Sequence, residues 1–532
     1  MSERLPKKAI NVSERWPFAW VRKRAPGQTL LTRTCAAPHN KRMAFTKEEA
    51  ALVPSATVSV DGGLKKNAIG TRDIVFMLVS AAAPLTIVVG IAPLALAVGG
   101  VGAPSIYIAA AIGLGLFAIG FMALTRHVRS YSGFYGYISK TLGRVVGLGS
   151  GLTAWMSYNG LQIGLYGLLG IQANLAVKSF TGVELPWWLY AIVSIGAVWY
   201  LGWRGIDVGA RVLAVLLTLE TAIVALVAAF VLAQGGAHGI SFESFSPQAI
   251  FSPQFAAVLG LGFSAFMGFE SGALYREEAR DPDRSVPRAT YISIAFIGAF
   301  YAFAVWIIVQ AFGADAVQAF AAGHLDAGDT AYIAAGNFAG GWCVNLMSVL
   351  IVTSIFAAQL SFHNTINRYT LSLSREGIFP KRSARISPRY RTPSVAGFDQ
   401  TLLALALVIG AALLQLDPFT QFLIWTNTPG VIGVLLLQAL TGVGVVVFFA
   451  RLKDHGLRWY VVPSAVAATI IMCVVVYLMA NNAQLLTGLP AGDPVNTTLL
   501  IFAPLLFAAG TVLALVLRKV NPAAYQRIGH AE

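Results

Sequence analysis

Glu220 and Glu270 are the two acidic residues that lie deep inside long apolar stretches of this chain. A carboxylate in such a setting is costly if it is charged and unpaired, so its default reading is functional. The chemistry open to it is to take up and release a proton, to attract a cation, or to pair across helices. The bland alternative for each is a protonated, hydrogen-bonded structural glutamate.

Two stretches around these residues can break a helix. The segment SAAAPLTIVVGIAP, residues 80–93, places Pro84 near the middle of an apolar run. Proline removes a backbone donor. The small residues Ala81, Ala82 and Ala83 before it and Thr86 after it leave backbone groups able to meet a ligand. The segment GLGFSAFMGFESGALYREEARDPDRSVP, residues 260–287, carries Gly260, Gly262, Gly268 and Gly272 around Glu270. Glycines permit unwinding or close helix approach. Glu277, Glu278 and Asp281, with neighbouring arginines, read as a salt-bridged gate or as topology charges. Asn159, Gln162 and Tyr166 follow the spacing of one helix face, as interhelical glue or as cavity lining. Gln359, His363, Asn364, Asn367 and Arg368 form a second polar set, read as a gate or a headgroup contact. Trp425 to Thr428 before Pro429 and Gly430 mark a weaker third break. The loop RHVRSYSGFYGYISKTLGR, residues 126–144, reads either as a segment lying on the membrane face or as an ordinary basic loop.

Other chemistries find no support. There is no GxxxxGK[ST] phosphate loop and no HExxH. The 7 histidines are scattered, and Cys35, Cys343 and Cys473 have no metal-type spacing, so no catalytic, metal or cofactor site is expected. The net charge of +14 does not form one patch, so no nucleic-acid partner is expected.

The elements that must position these residues follow from composition. Of the 532 residues, 56% are apolar and only 12% charged, about half the charged fraction of a soluble domain. Stretches long enough for a core of ~30 Å recur to the end. Spans are expected near 72–98, 104–125, 147–177, 187–203, 208–234, 251–276, 288–313, 342–374, 396–414, 419–449, 458–480 and 496–518. Every Lys and Arg except Lys178 falls on one side of that alternation, which predicts cytoplasmic termini and an even number of spans. Glu243, Asp315, Asp326, Asp329 and Asp493 fall on the other side. Residues 1–65 read as a disordered basic cytoplasmic tail, with Met43 as an alternative start and 1–42 as an extension. The membrane-spanning body covers 66–518, and 519–532 is a cytoplasmic tail.

Three motifs resemble the amino acid–polyamine–organocation permease superfamily over about residues 68–518. They are the broken first span ending in Gly99-Gly100, the span-six run FMGFESGALYREEARDPDRSVP, and NRYTLSLSREGIFP closing span eight. The resemblance implies an all-α polytopic protein with twelve helices: a LeuT-like five-plus-five inverted repeat (about 72–234 and 251–449) and two further helices (458–518). It implies a substrate held by unwound backbone at Ala83, Pro84, Leu85, Thr86 and Ile87 and at Ser264, Phe266, Met267 and Gly268, with Asn159 and Gln162 nearby. Glu270 matches a gating and proton-coupling position. Three departures stand out. Leu85-Thr86-Ile87 replaces a G-[SA]-G, so Cβ atoms crowd the backbone. Ser264 replaces an aromatic lid. Glu220 stands at the spacing where proton-coupled members carry a lysine. The expected function is secondary transport of an amino acid or related amine across the cytoplasmic membrane, with H+ as coupling ion and no enzyme activity. The alternatives are the same fold carrying a nucleobase or organic cation, or a ligand sensor without flux. The oligomeric state is not read from these features.

Overall fold

Apolar runs in a bilayer must satisfy their backbone groups internally, which leaves the helix as the local solution. The computed structural model is all-helical and describes residues 63–325, 328–452 and 458–530. The expected tail, 1–65, lies outside the described residues except for its last three positions, and so does Asp326. Among the described residues, sheet pairing is limited to one isolated parallel bridge, Ile69 with Ala279.

The principal helices are α1 Thr71–Ala81, α2 Ala103–His127, α3 Arg144–Thr181, α4 Trp187–Arg204, α5 Ile206–Ala233 and α6 Pro253–Ser264. They continue with α7 Pro282–Phe312, α8 Gly341–Arg375, α9 Ser394–Leu413, α10 Ile424–Arg451, α11 Val461–Asn481 and α12 Pro494–Val520. Among the described residues, 10 helical runs are long and apolar enough to cross a membrane. One of these, Thr71–His127, contains both α1 and α2 in 57 residues. A straight helix of that length would measure about 85 Å. It is divided at Gly100, whose φ of 57° ends the helix Ala92–Gly99. The 18-residue α4 is not among the 10 runs.

α3 sits at the centre and packs on α4, α8, α10 and α12. Its glycines make this possible. A methyl group at Gly160 would lie 2.3 Å from the Thr426 carbonyl oxygen, and one at Gly167 would lie 2.5 Å from the Pro418 carbonyl oxygen. Close backbone approach of this kind is how helices associate in lipid.

The basic stretch between α2 and α3 is not a plain loop. It forms the helix Gly133–Leu142, and Phe134, Tyr135, Tyr137 and Ile138 are buried. One expectation needs correction: the break expected before Pro429 is absent, because α10 runs through Pro429 without interruption. The irregularity lies earlier, in the π-helical turn Pro418–Leu423.

Gly160→Leu is expected to destabilise the detergent-purified protein by about 1–3 kcal/mol or more through overpacking. Gly196→Ala, where a methyl group meets nothing within 4 Å, is expected to leave the unfolding midpoint unchanged or slightly raised. Equal midpoints for the two variants would contradict the assigned α3–α10 contact.

Candidate functional site

α1 stops at Ala81, and Ala83 takes a left-handed conformation with φ 48°. For an L-residue this costs roughly 1–2 kcal/mol. Pro84 starts the next helical segment, Pro84–Thr86, which continues through a π turn, Ile87–Ile91, into Ala92–Gly99. In an unbroken helix the N–H groups of Leu85 and Thr86 would bond to the carbonyls of Ala81 and Ala82. Here the Leu85 N–H points at Glu220 Oε2 across a long 3.5 Å. The Thr86 N–H donates to Ser354 Oγ at 3.3 Å, and the Thr86 hydroxyl donates to the same atom at 3.1 Å. Ser354 Oγ in turn donates to Glu220 Oε2 at 2.7 Å. The Ala82 carbonyl accepts the Tyr301 hydroxyl at 2.7 Å. Four helices thus meet at the break: Tyr301 from α7, Glu220 from α5, Ser354 from α8, and the broken chain itself.

The second break follows α6. Gly268 has φ 105° and leads into the 3-10 turn Phe269–Tyr275. The Gly268 N–H donates to both carboxylate oxygens of Glu270, at 3.2 and 3.3 Å. The Tyr158 hydroxyl of α3 donates to Glu270 Oε1 at 2.5 Å. Ser271 Oγ donates to the Gly268 carbonyl at 2.7 Å. The two breaks touch: a methyl group on Gly268 would lie 2.5 Å from Ala81 Cβ. Glycine is therefore required there twice over, by its φ and by contact. Tyr301 packs beside Tyr107 at 5.3 Å and Phe266 at 6.2 Å, placing aromatic rings from α7, α2 and the segment after α6 together.

The sequence-predicted residues fall into three groups. Ala83, Pro84, Leu85 and Thr86 are buried at the first break, with Ile87 half-buried at its edge. Phe266, Met267 and Gly268 are buried at the second break. Ser264 ends α6, and its hydroxyl turns back to the Leu261 carbonyl of the same helix. Gln162 is committed elsewhere. It bonds to Tyr166, to the Gln359 carbonyl and to Gln400, while Gln359 accepts Ser194 Oγ. These bonds tie α3 to α8 and α9. Asn159 donates to the Trp155 carbonyl, and its buried Oδ1 has no partner among the described residues. Ser354, Tyr158 and Tyr301 were not singled out from sequence. A lone hydroxyl in an apolar run carries no signal of its own.

The basic end of the bundle holds a second constellation. Glu278 Oε2 accepts Arg368 Nη2 at 2.5 Å and Nε at 2.8 Å, with both residues buried. Arg368 also stacks over the Tyr275 ring at 4.7 Å. Burial pushes the Glu278 carboxyl up from its ordinary range, and the adjacent guanidinium opposes that. The two-toothed geometry is that of an ion pair. Arg276 pairs with Asp283 at 2.5 Å and Arg375 with Glu277 at 3.4 Å. Residues before α1 are stitched to the same place. The Ala68 N–H donates to the Glu278 carbonyl at 2.8 Å, the Arg280 N–H to the Ile69 carbonyl at 2.8 Å, and the Leu64 N–H to Glu277 Oε1 at 3.3 Å.

Residues 69–509 match the family described as "Amino acid permease". The chain belongs to the amino acid permease family. The low-affinity putrescine importer PlaP of Escherichia coli is 23% identical over 333 residues, 60% of this chain and 71% of that protein. The branched-chain amino acid permease BcaP of Bacillus subtilis is 26% identical, covering 56% of this chain and 60% of that protein. The L-methionine/branched-chain amino acid exporter YjeH of Escherichia coli is 27% identical over 187 residues. That match covers 35% of this chain and less than half, 42%, of the exporter. The family and these relatives are transporters rather than enzymes.

Tyr158→Phe removes the hydroxyl bond to Glu270 and leaves only backbone amides on it, and is expected to cost about 1–3 kcal/mol. A thermal double-mutant cycle with Glu270→Gln checks this. Strictly additive effects would contradict the contact.

Proposed function

We propose that this chain is a secondary active transporter that moves an amino acid or related amine across the cytoplasmic membrane by alternating access, coupled to protons. The observation that carries this reading is the meeting of two broken helices, each with a freed backbone amide facing a buried carboxylate. Breaks at membrane depth mark transporter binding sites. Relatives include a putrescine importer, a branched-chain amino acid permease and an L-methionine/branched-chain amino acid exporter.

In this reading the substrate lies between the Ala83–Ile87 and Ser264–Gly268 segments. Glu270 carries the coupling proton, and Glu220 joins it in coupling or gating. Thr71–His127 crosses twice and α4 once, giving twelve crossings with both ends in the cytoplasm. α1 to α5 and α6 to α10 form inverted repeats, with α11 and α12 outside them. The break in the first helix of each half supports this pairing. The Glu278–Arg368 pair and the stitched segment 64–70 act as the cytoplasmic gate, closed here and opened when the pair separates.

The coupling role has a direct test. Glu270→Gln is expected to fold with a normal elution profile and to lose uptake driven by an imposed pH gradient. Normal pH-driven uptake by that variant would remove Glu270 from the mechanism.

A further inference from the structure

We infer that Glu220 makes the site at the first break select amines that lack a carboxylate over the amino acids that carry one. The inference narrows the substrate class and rests on the permease reading above.

Three observations converge. First, the amides that would hold a ligand carboxylate are already taken. The N–H groups opening a helical segment are the natural anion site of a protein. At the segment beginning with Pro84, the Leu85 N–H faces Glu220, and the Thr86 N–H is held by a Ser354 hydroxyl that itself bonds to Glu220. The chain's own carboxylate therefore stands where a substrate's would dock. A second carboxylate there would face the first in a water-poor interior, where like charges disfavour one another strongly.

Second, the acidic charge at the breaks has no internal counterpart. Glu220 is 1% exposed and Glu270 3% exposed. Among the described residues neither has an ion-pair partner. The buried arginines, Arg276 and Arg368, are committed to Asp283 and Glu278. All of the Glu220 bonds fall on Oε2, and Oε1 accepts none among the described residues. A substrate ammonium can supply the missing charge and use that oxygen.

Third, the same break is bordered by aromatic rings. Tyr301 bonds to Ala82, three residues before Leu85, and Tyr107 and Phe266 pack against it. The buried Tyr107 hydroxyl has no hydrogen-bond partner among the described residues. A carboxylate with aromatic faces is the chemistry that recognises an organic cation.

The test uses the purified full-length protein and matched ligand pairs that differ by one carboxylate: putrescine with ornithine, cadaverine with lysine, isobutylamine with valine. Thermal stabilisation reports binding to the folded state. At least one amine is expected to raise the unfolding midpoint at concentrations tenfold or more below those its parent amino acid requires. Glu220→Gln is expected to weaken that amine's apparent affinity at least tenfold, and Glu220→Asp to restore part of it. Amino acids that stabilise the wild-type protein as well as their amines, or an absence of stabilisation by any amine, would overturn the inference. Should Glu220→Gln fail to fold, the wild-type comparison of pairs decides alone. Uptake in vesicles judges the permease reading separately, since uptake of amino acids without amine preference would sink this inference and leave that reading standing.

Discussion

A backbone amide with no acceptor is costly inside a bilayer, and the rest of this structure is arranged around two places where that cost has been met without a helix. At Leu85 and at Gly268 the freed N–H turns to a carboxylate, Glu220 in one case and Glu270 in the other. Neither carboxylate comes from the residue that a continuous helix would supply. Each is steadied by a hydroxyl from another helix, Ser354 or Tyr158. At the first break these bonds cross between elements, whereas at the second the Gly268 amide is met within its own segment and the Tyr158 hydroxyl supplies the crossing bond. A shift of α5, α8 or α3 relative to the breaks must change them, and this is the physical link between helix movement and the site.

The packing supports that link. α3 presents glycines to α10 and to the π turn before it, so the backbones meet directly. It presents Tyr158 to Glu270 on another side. Gln162, read as interhelical glue or as cavity lining, ties α3 to α8 and α9 through Gln359 and Gln400. The scaffold is thus held by polar contacts as well as by close approach. At the basic end, the Glu278–Arg368 pair and the strand-like contact of Ile69 with Ala279 fasten the start of α1 to the segment after α6. The two broken elements are joined there by bonds that water and charge can exchange, unlike the apolar contacts deeper in.

Much of this was legible in the sequence where the cause is local. Pro84 cannot donate a helix bond, and Gly268 alone tolerates its φ, so both breaks could be read from residue type. Alternating basic residues marked the ends of the helices, and the one exception, Lys178, is exposed and pairs with Glu184. The partners were not legible. Glu220 meets Leu85 across 135 residues and Tyr158 meets Glu270 across 112. Hydroxyls such as Ser354 and Tyr301 acquire meaning only once tertiary structure brings a freed backbone group beside them. The burial of the helix Gly133–Leu142 was not legible for a related reason. Its alternating aromatics and glycines do not say which neighbours will cover them.

The central claim is that these two breaks form one site reached in turn from each side of the membrane. Counterflow measures this most directly. Proteoliposomes are loaded with an unlabelled amine or amino acid and diluted into a trace of the labelled compound, with no ion gradient imposed. Transient accumulation of label inside the vesicles above its equilibrium level is the predicted result. Saturable binding of the same compound to the purified protein with no counterflow would contradict the account and leave a ligand sensor in its place.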